Sequence, residues 1–497
     1  MRRSVYLIFI FSQFFSYAGA DTLIDICDRG AFSDEIVLQT GAISCEAVSS
    51  EKMAKIEKLD YYGNGFDSIP AHAFQGLDSL QSLYLSHNNF TDLPEKLFQG
   101  LKSLKAIGLA GNKLENIPGQ LFNGLNALEH ISLTGNNIVS FEETTFQNLP
   151  KLQVLYIDQN QLTTLPEKLF EGSTALVRLY AGENQITNLP ENLFKDLSHL
   201  KLIAIWGQSL FDLPEGLFNG LTSLEEIYFQ GNYIQKIYPN TFKNLPSLKT
   251  LELGGNNISE IPEKAFSELS SLTAIGLSDN ALTTLPENSF WESTMLSIIN
   301  LDSNQIEYLP QNLFQGLVNL KSVYLVGNQL SNLPDELFKD VRPDLFVWLN
   351  ANNFTEIPLK PLRYLYNTKK ICLYRNQITH IPDNAFKGFP LLEIIEIDQN
   401  LLTTISENAF QGLLSLKNIS LEDNQLTFIH ENAFKGLENI SKIGLANNKL
   451  DKLPTSIFQG LSSLGKITLG GNNFHSISRR EYGLSPKLNI DGVAALP

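Results

Sequence analysis

Residues 80–103 read LQSLYLSHNNFTDLPEKLFQGLKS, and this stretch decides the fold because close copies of it fill most of the chain. The copies share the pattern LxxLxLxxNxLxxLPxxxFxxLxx. Its asparagine, Asn88 in the quoted copy, recurs at a fixed interval, the length of the quoted stretch, from Asn64 to Asn472, with Gln208 as the one substitution. Eighteen such positions without an insertion or deletion exclude chance and indicate a solenoid of stacked repeats.

A second series of large side chains accompanies these asparagines. A phenylalanine follows ten residues later, from Phe74 to Phe458, except at Leu362 and Tyr482. The alternating Leu-x-Leu segment predicts a strand whose leucines point inward and whose intervening residues point outward. Asparagine can satisfy backbone groups where the chain turns away from the sheet. The phenylalanines fill the convex half of each coil, so neighbouring repeats share one continuous core.

The repeats resemble the typical 24-residue leucine-rich repeats of secreted animal proteins. Toll-like receptor ectodomains, the acid-labile subunit and the large subunit of carboxypeptidase N share the rhythm of Leu93-Pro94-Glu95-Lys96-Leu97-Phe98. The resemblance implies an α/β repeat fold, a right-handed solenoid curved like a horseshoe, with a parallel β-sheet on the concave face. It also implies a protein that binds other proteins. Two departures are the lack of a cysteine-rich C-terminal cap and of the membrane span and signalling domain of Toll-class receptors.

The N-terminal residues predict export. Arg2 and Arg3 precede an apolar run and a group of small residues, so residues 1–20 read as a secretory signal peptide. Residues 21–55 are predicted to form an N-terminal cap, in which Cys27 and Cys45 pair as a disulfide. The predicted product is secreted and extracellular.

The remaining chain is predicted to form eighteen repeats over residues 56–487 and a degenerate C-terminal cap over residues 488–497. Leu488 and Ile490 are the candidates for a last strand. A bare solenoid end exposes its core. If this cap is inadequate, homodimerisation through the C-terminal end is the expected alternative.

The chain is acidic, with a formal net charge of −16. Such a surface repels phosphate backbones and anionic lipids, so the sequence predicts neither nucleic-acid binding nor membrane insertion. Two interpretations of the charge stay open. It keeps a large surface soluble, or it attracts basic partners.

Aromatic residues concentrate twice on the outward-facing strand positions, which lie six, four and two residues before each repeat asparagine. The first aromatic group contains Tyr156, Tyr180, Trp206 and Tyr228, with Asp158, Arg178 and Glu226 between them. The second aromatic group contains Tyr324, Phe346, Trp348 and Tyr374. Exposed tyrosine, tryptophan and arginine dominate interface energetics, so both groups are candidate ligand-binding sites. The alternative is that these rings only pack across neighbouring strands.

Two positions depart from the pattern near these groups. Gln208 replaces a repeat asparagine beside Trp206, which either marks a functional site or is absorbed by a local adjustment of the turn. Cys372 falls in the outward column beside Trp348 and Tyr374. It is either an exposed thiol that bonds to another chain or a partly shielded small apolar residue.

Five sequons are candidate glycosylation sites: Asn89, Asn257, Asn353, Asn418 and Asn439. Asn418 lies on the predicted concave face. A glycan at Asn418 would block the C-terminal third of that face and favour ligand binding further upstream.

The sequence contains no recognisable catalytic motif. The seven histidines are scattered and show no metal-ligand spacing, and the outward carboxylates Asp158, Glu226 and Glu252 are interpreted as solvated charges. We therefore predict no enzyme activity, no catalytic residue, no metal site and no cofactor. The predicted function is an extracellular protein-binding module in recognition, adhesion or innate immunity. The alternative is a non-catalytic carrier or stabilising subunit of a secreted enzyme or hormone complex.

Overall fold

The computed structural model describes residues 26–496. The predicted signal peptide, the first residues of the predicted N-terminal cap and Pro497 lie outside the described residues. No helix within the described range has the length and apolar character needed to cross a bilayer.

One parallel sheet runs through the repeats, and each of its strands pairs in register with the next. Eighteen of its strands begin one repeat length apart, and the last strand follows at a slightly shorter interval. The prediction of a solenoid of parallel strands is therefore confirmed. The strands are Lys58–Asp60, Ser82–Tyr84, Ala106–Gly108, His130–Ser132, Val154–Tyr156, Arg178–Tyr180, Leu202–Ala204, Glu226–Tyr228, Thr250–Glu252, Ala274–Gly276, Ile298–Asn300, Ser322–Tyr324, Phe346–Trp348, Lys370–Cys372, Ile394–Glu396, Asn418–Ser420, Lys442–Gly444, Lys466–Thr468 and Asn489–Asp491.

Two further pairs of short strands lie outside this sheet. Thr404–Ile405 pairs with Phe428–Ile429, and Ser476–Ser478 pairs with Ala494–Leu496. The described helices lie almost entirely in the N-terminal cap. They are the 3-10 helices Ile26–Phe32 and Cys45–Ala47 and the α-helices Ser33–Thr40, Ser50–Met53 and Leu359–Leu362.

Hydrogen-bonded turns, rather than long helices, connect the strands on the side of the coil opposite the sheet. In the quoted repeat, Leu97 N–H donates to Pro94 O and Gln99 N–H donates to Lys96 O, both at 3.0 Å. Gly100 then adopts φ +91°, a conformation that ends the turn and suits glycine. Proline at one end and glycine at the other leave too few residues for a long helix.

The core lies between the sheet and these turns. Leu83 and Leu85 of the quoted repeat are fully buried, and so is Phe98 on the turn side. The rings of Phe98 and Phe122 stack with their centroids 6.2 Å apart. Similar contacts join successive phenylalanine rings in several runs and couple the neighbouring repeats there. The runs extend from Phe74 to Phe170, from Phe218 to Phe290, from Phe314 to Phe338 and from Phe386 to Phe434.

The repeat asparagines tie each coil to the one before it. Asn136 Oδ1 accepts from Leu114 N–H at 3.1 Å, and its Nδ2 donates to Leu109 O at 3.0 Å and to Leu133 O at 2.9 Å. Because the groups it joins are buried, losing this side chain would leave backbone atoms unpaired at about 1–3 kcal/mol each.

Gln208 performs the same task with its longer side chain. Its Oε1 accepts from Ile186 N–H at 3.1 Å, and its Nε2 donates to Ala181 O at 2.8 Å and to Trp206 O at 3.1 Å. The structure therefore favours the interpretation that the turn absorbs this substitution.

The N-terminal cap is held to the first repeat by polar contacts. A disulfide links Cys27 and Cys45. The fully buried Arg29 donates from its guanidinium to Ala73 O at 3.0 Å and to Gln75 O at 2.7 Å. These bonds fix the cap to the turn of the first repeat.

The C-terminal end closes with the strand Asn489–Asp491, which contains the predicted Ile490. Arg479 donates to Ser485 O at 2.7 Å and to Leu488 O at 2.9 Å, and these bonds hold the segment before this strand together.

Candidate interaction surface on the sheet

The outward surface of the long sheet, which we call the sheet face, carries both predicted aromatic groups. The central residue of each strand is buried, except Ile490 in the last strand, which is half-buried, and most of the flanking residues are half-buried or exposed. Among the helices and strands of residues 26–496, each strand of this sheet has substantial contact with its neighbouring strands alone, and the first strand also meets helix Ser33–Thr40. The sheet face is therefore open to a partner.

In the first aromatic group, two tyrosines form a ring pair. Tyr156 and Tyr180 are register partners on adjacent strands, and their rings stack with centroids 4.7 Å apart and planes 8° apart. Tyr156 is 37% exposed. Burial, together with the neighbouring Tyr156, raises the pKa of Tyr180, so the phenol of Tyr180 stays neutral.

Tyr228 and Glu226 form a second unit of this group. The Tyr228 hydroxyl donates to Glu226 Oε2 at 2.6 Å. Burial and this hydrogen bond raise the pKa of Tyr228 to about 12. The bond fixes the carboxylate beside the ring and uses one of its oxygens, so the other can accept from a ligand.

Trp206 lies flat over the previous repeat. An added Cβ on Gly182 would meet the indole at 2.5 Å, so the glycine makes room for this ring. Gly182 lies two residues before Asn184, and this position in the repeat, which the sequence shows, places it directly beside Trp206.

Asp158 and Arg178 lie beside the ring pair. Asp158 accepts from Thr134 Oγ1 at 2.9 Å, and burial raises the pKa of its carboxyl. The exposed Arg178 makes no ion pair with any described residue.

Glu252 is half-buried, which differs from the predicted solvated charge. It is the register partner of Tyr228. Its carboxylate lies over Gly276, where an added Cβ would collide with it. Burial raises the pKa of Glu252, and no side-chain hydrogen bond or ion pair reaches it within residues 26–496. Glycine at position 276 was the sequence signal for this arrangement, because it leaves space for a neighbouring side chain.

In the second aromatic group the rings contact one another more closely. Trp348 stacks on Tyr324 with centroids 4.1 Å apart and meets Phe346 at 3.7 Å with a tilt of 59°. The structure does not bring the ring of Tyr374 into contact with these three rings of the described chain, and its backbone N–H donates to Asn350 Oδ1 at 3.2 Å. Trp348 is thus covered on more than one side by this chain's own rings.

The placement of Cys372 in the exposed column was wrong in one respect, because its side chain is buried, with 2% of the residue exposed. The small thiol lies beside the ion pair of Lys370 and Glu396, whose longer side chains cover it. Burial raises the pKa of the Cys372 thiol to about 12. This agrees with the alternative of a shielded apolar residue.

A cavity of about 280 Å³ lies on the sheet face next to Tyr374. Asp398, Asn418 and Lys442 contribute to its walls. Asn418 Oδ1 is buried there without a hydrogen-bond partner among the described residues.

The sequons differ in exposure. Asn257, Asn353 and Asn439 are exposed, whereas Asn89 and Asn418 are half-buried. Asn418 also lies within a strand of the long sheet. Glycosylation at all five stays a prediction.

One group of potential metal ligands occurs in the described part of the chain: Cys27, Cys45 and Glu46. Its two cysteines are joined to each other, which removes both thiolates as ligands.

Comparisons with known proteins agree with this geometry. The leucine-rich repeat profile matches residues 54–114, 102–162, 150–204, 198–258, 246–306 and 347–402, which is more than half of the chain. A profile of the BspA-type leucine-rich repeat region matches residues 379–489. Comparison with curated protein sequences found no match.

Solved structures show similar solenoids. A leucine-rich-repeat protein of Leptospira interrogans is 26% identical, with a TM-score of 0.58 over 89% of this chain and 97% of that chain. YopM from Yersinia enterocolitica is 21% identical, with a TM-score of 0.61 over 89% and 88%. The protein in the TLR13–ssRNA13 complex is 19% identical, with a TM-score of 0.57 over 88% and 83%.

Proposed function

Because the chain belongs to the leucine-rich repeat family, whose solenoids typically bind proteins, we propose that it is an extracellular protein-binding module that uses its sheet face. The observation that carries this proposal is the open sheet face with its first aromatic group. Tyr156, Tyr180 and Trp206 are rigid rings at the surface, and such side chains dominate binding energy in protein interfaces.

The proposal includes secretion, which rests on the sequence of residues 1–20. It places the protein in recognition, adhesion or innate immunity. It also excludes nucleic acid as the ligand, because the chain carries a net charge of −16. Since one similar structure is a complex with single-stranded RNA, RNA belongs in the binding test.

The experiment compares two variants of the full chain with the native protein. Thr250→Arg/Ala274→Arg places long charged side chains on the sheet face. Ser270→Arg/Thr294→Arg makes the same change in charge at exposed positions on the turn side. Each protein is cross-linked in its native fluid, and the products are identified by size-exclusion chromatography, light scattering and mass spectrometry.

We expect a second chain to join the native protein and the turn-side variant, and to be lost from the sheet-face variant. Loss from the turn-side variant alone, or equal retention by all three proteins, would contradict binding through the sheet face. A partner present in fixed stoichiometry in unchallenged fluid would indicate the carrier-subunit role. Saturable binding of single-stranded RNA would overturn the exclusion of nucleic acid.

A further inference from the structure

The chemistry of the partner can be inferred from charges on the sheet face that this chain leaves unpaired. At the edge of the sheet, carboxylates are matched by lysines. Glu225 lies 2.9 Å from Lys201 and 2.6 Å from Lys249. In the second aromatic group, Lys370 and Glu396 are 2.8 Å apart. The chain therefore has the means to neutralise carboxylates on this surface.

The first aromatic group lacks that neutralisation. We call Tyr156, Asp158, Tyr180, Glu226, Tyr228 and Glu252 the acidic–aromatic strip. Its three carboxylates make no ion pair with any residue from 26 to 496, and Arg178 is the one base among the outward positions of these strands. The Tyr228 hydroxyl donates to Glu226, and Glu252 is the register partner of Tyr228, so the two carboxylates flank the same tyrosine.

Most of the strip lies along one column of the sheet. Its central column runs in register through Tyr156, Tyr180, Ala204, Tyr228 and Glu252. Ala204 is the one small residue between Tyr180 and Tyr228 in this column, whereas the Glu252 carboxylate occupies the space over Gly276. Adjacent strands are about 4.8 Å apart, so Tyr180 and Tyr228 stand two strand spacings apart, with only Ala204 between them.

We propose that the acidic–aromatic strip binds a basic segment of a partner protein, with lysine or arginine side chains placed against the Tyr156–Tyr180 ring pair and the carboxylates of Glu226 and Glu252. This inference deepens the proposed function and rests on it, because it names the chemistry of the protein that the sheet face binds.

Two physical effects favour this occupant. A cation over a tyrosine ring face gains about 0.5–2 kcal/mol, depending on how far it is desolvated. A guanidinium can donate two parallel hydrogen bonds to one carboxylate, and Glu252 has both oxygens unused within the described residues. Burial raises the pKa of Glu252, so the free protein holds this charge at a cost that a bound cation would offset. Phosphate-bearing ligands would meet repulsion at the same carboxylates.

The test uses a synthetic peptide of alternating arginine and serine residues as the probe. The reference peptide has glutamine in place of arginine. Binding to the full chain is measured by calorimetry at about 0.15 M salt, where long-range attraction is screened. The variant Glu226→Gln/Glu252→Gln removes two carboxylates from the strip. Glu263→Gln/Glu268→Gln removes two exposed carboxylates from the turn side, and is the matched control for net charge.

We expect the arginine peptide to bind the native chain and the control alike, and to bind the strip variant about tenfold more weakly. Tyr156→Leu/Tyr180→Leu should weaken it by about threefold to tenfold. Equal binding of the two peptides, or equal weakening by strip and control variants, would overturn the proposal.

Binding of the native partner to the two variants distinguishes a failure of this inference from a failure of the proposed function. If the partner is lost from Thr250→Arg/Ala274→Arg but binds the strip variant at full strength, the sheet face binds protein and the inferred chemistry is wrong. If the partner binds both variants as strongly as it binds the native chain, the proposed function fails as well. Circular dichroism and unfolding curves confirm that every variant is folded.

Discussion

The two aromatic groups occupy the same columns of the same sheet, and they differ in what surrounds them. In the first, Glu226 and Glu252 face tyrosines without a basic partner in the described chain. In the second, Trp348 contacts two rings of its own chain, and Lys370 neutralises Glu396. The repeat thus decides where a side chain points. Neighbours one repeat away in sequence decide whether it is available to a partner.

The largest predicted difference concerns thiol reactivity. Since burial raises the pKa of Cys372 to about 12 from an ordinary value of 9.0, its thiolate fraction at mildly alkaline pH falls about a thousandfold. We expect Cys372 to resist alkylation by iodoacetamide at about pH 8 until the protein is unfolded. The measurement is the labelling rate by mass spectrometry.

Ser132→Cys supplies the matched control, because Ser132 lies in the same column beside the first group and is half-buried. The thiol it introduces should react much faster than Cys372. Equal rates at the two positions would show that the second group is as open as the first.

The next largest effect is expected from the tryptophans. Trp348→Ala removes a ring held between Tyr324 and Phe346, and should lower the free energy of unfolding by about 2–3 kcal/mol. Trp206→Ala removes a ring that stacks on no other ring of the described chain, and should cost about 1 kcal/mol. Chemical denaturation followed by circular dichroism measures both. A larger loss for Trp206→Ala would reverse the comparison.

The strand register and the inward leucines follow from a strict repeat, because each strand makes the same local choice. The sequence therefore predicted the parallel sheet and the members of both aromatic groups. It could not predict that Cys372 is buried, because that outcome depends on how the side chains of Lys370 and Glu396 fill the space around the thiol. Gln208 shows the same limit, since only its bonds to Ile186 and Ala181 reveal that a longer amide fits.

A smaller loss of stability is expected at Gly182, whose lack of a side chain leaves room for Trp206 of the first aromatic group. Gly182→Ala places a Cβ at 2.5 Å from the Trp206 indole, and should cost about 1–2 kcal/mol while displacing that ring. Gly465→Ala is the control, because its Cβ would meet its nearest atom, Ser441 O, at 3.7 Å. Unfolding curves give the cost, and near-ultraviolet circular dichroism reports the ring. If both substitutions cost the same, Trp206 does not depend on the glycine.

The smallest effect is the change in the unfolding midpoint when a single carboxylate is neutralised. Its sign should differ between the paired Glu225 and the unpaired Glu252. Glu225 accepts from Lys249 and Lys201, which lowers its pKa to about 2, so it adds stability above its ordinary pKa of 4.5 that is lost as pH falls towards 2. Burial raises the pKa of Glu252, so its charge costs stability once pH rises above its ordinary range, and protonation removes that cost. Glu225→Gln should therefore lower the unfolding midpoint at neutral pH, whereas Glu252→Gln should raise it. Both differences should shrink in acid, and the measurement is thermal unfolding across the acid range. A lower midpoint for Glu252→Gln at neutral pH would mean that this carboxylate already has a stabilising partner within the chain, and the strip would then have no unpaired charge there to offer a ligand.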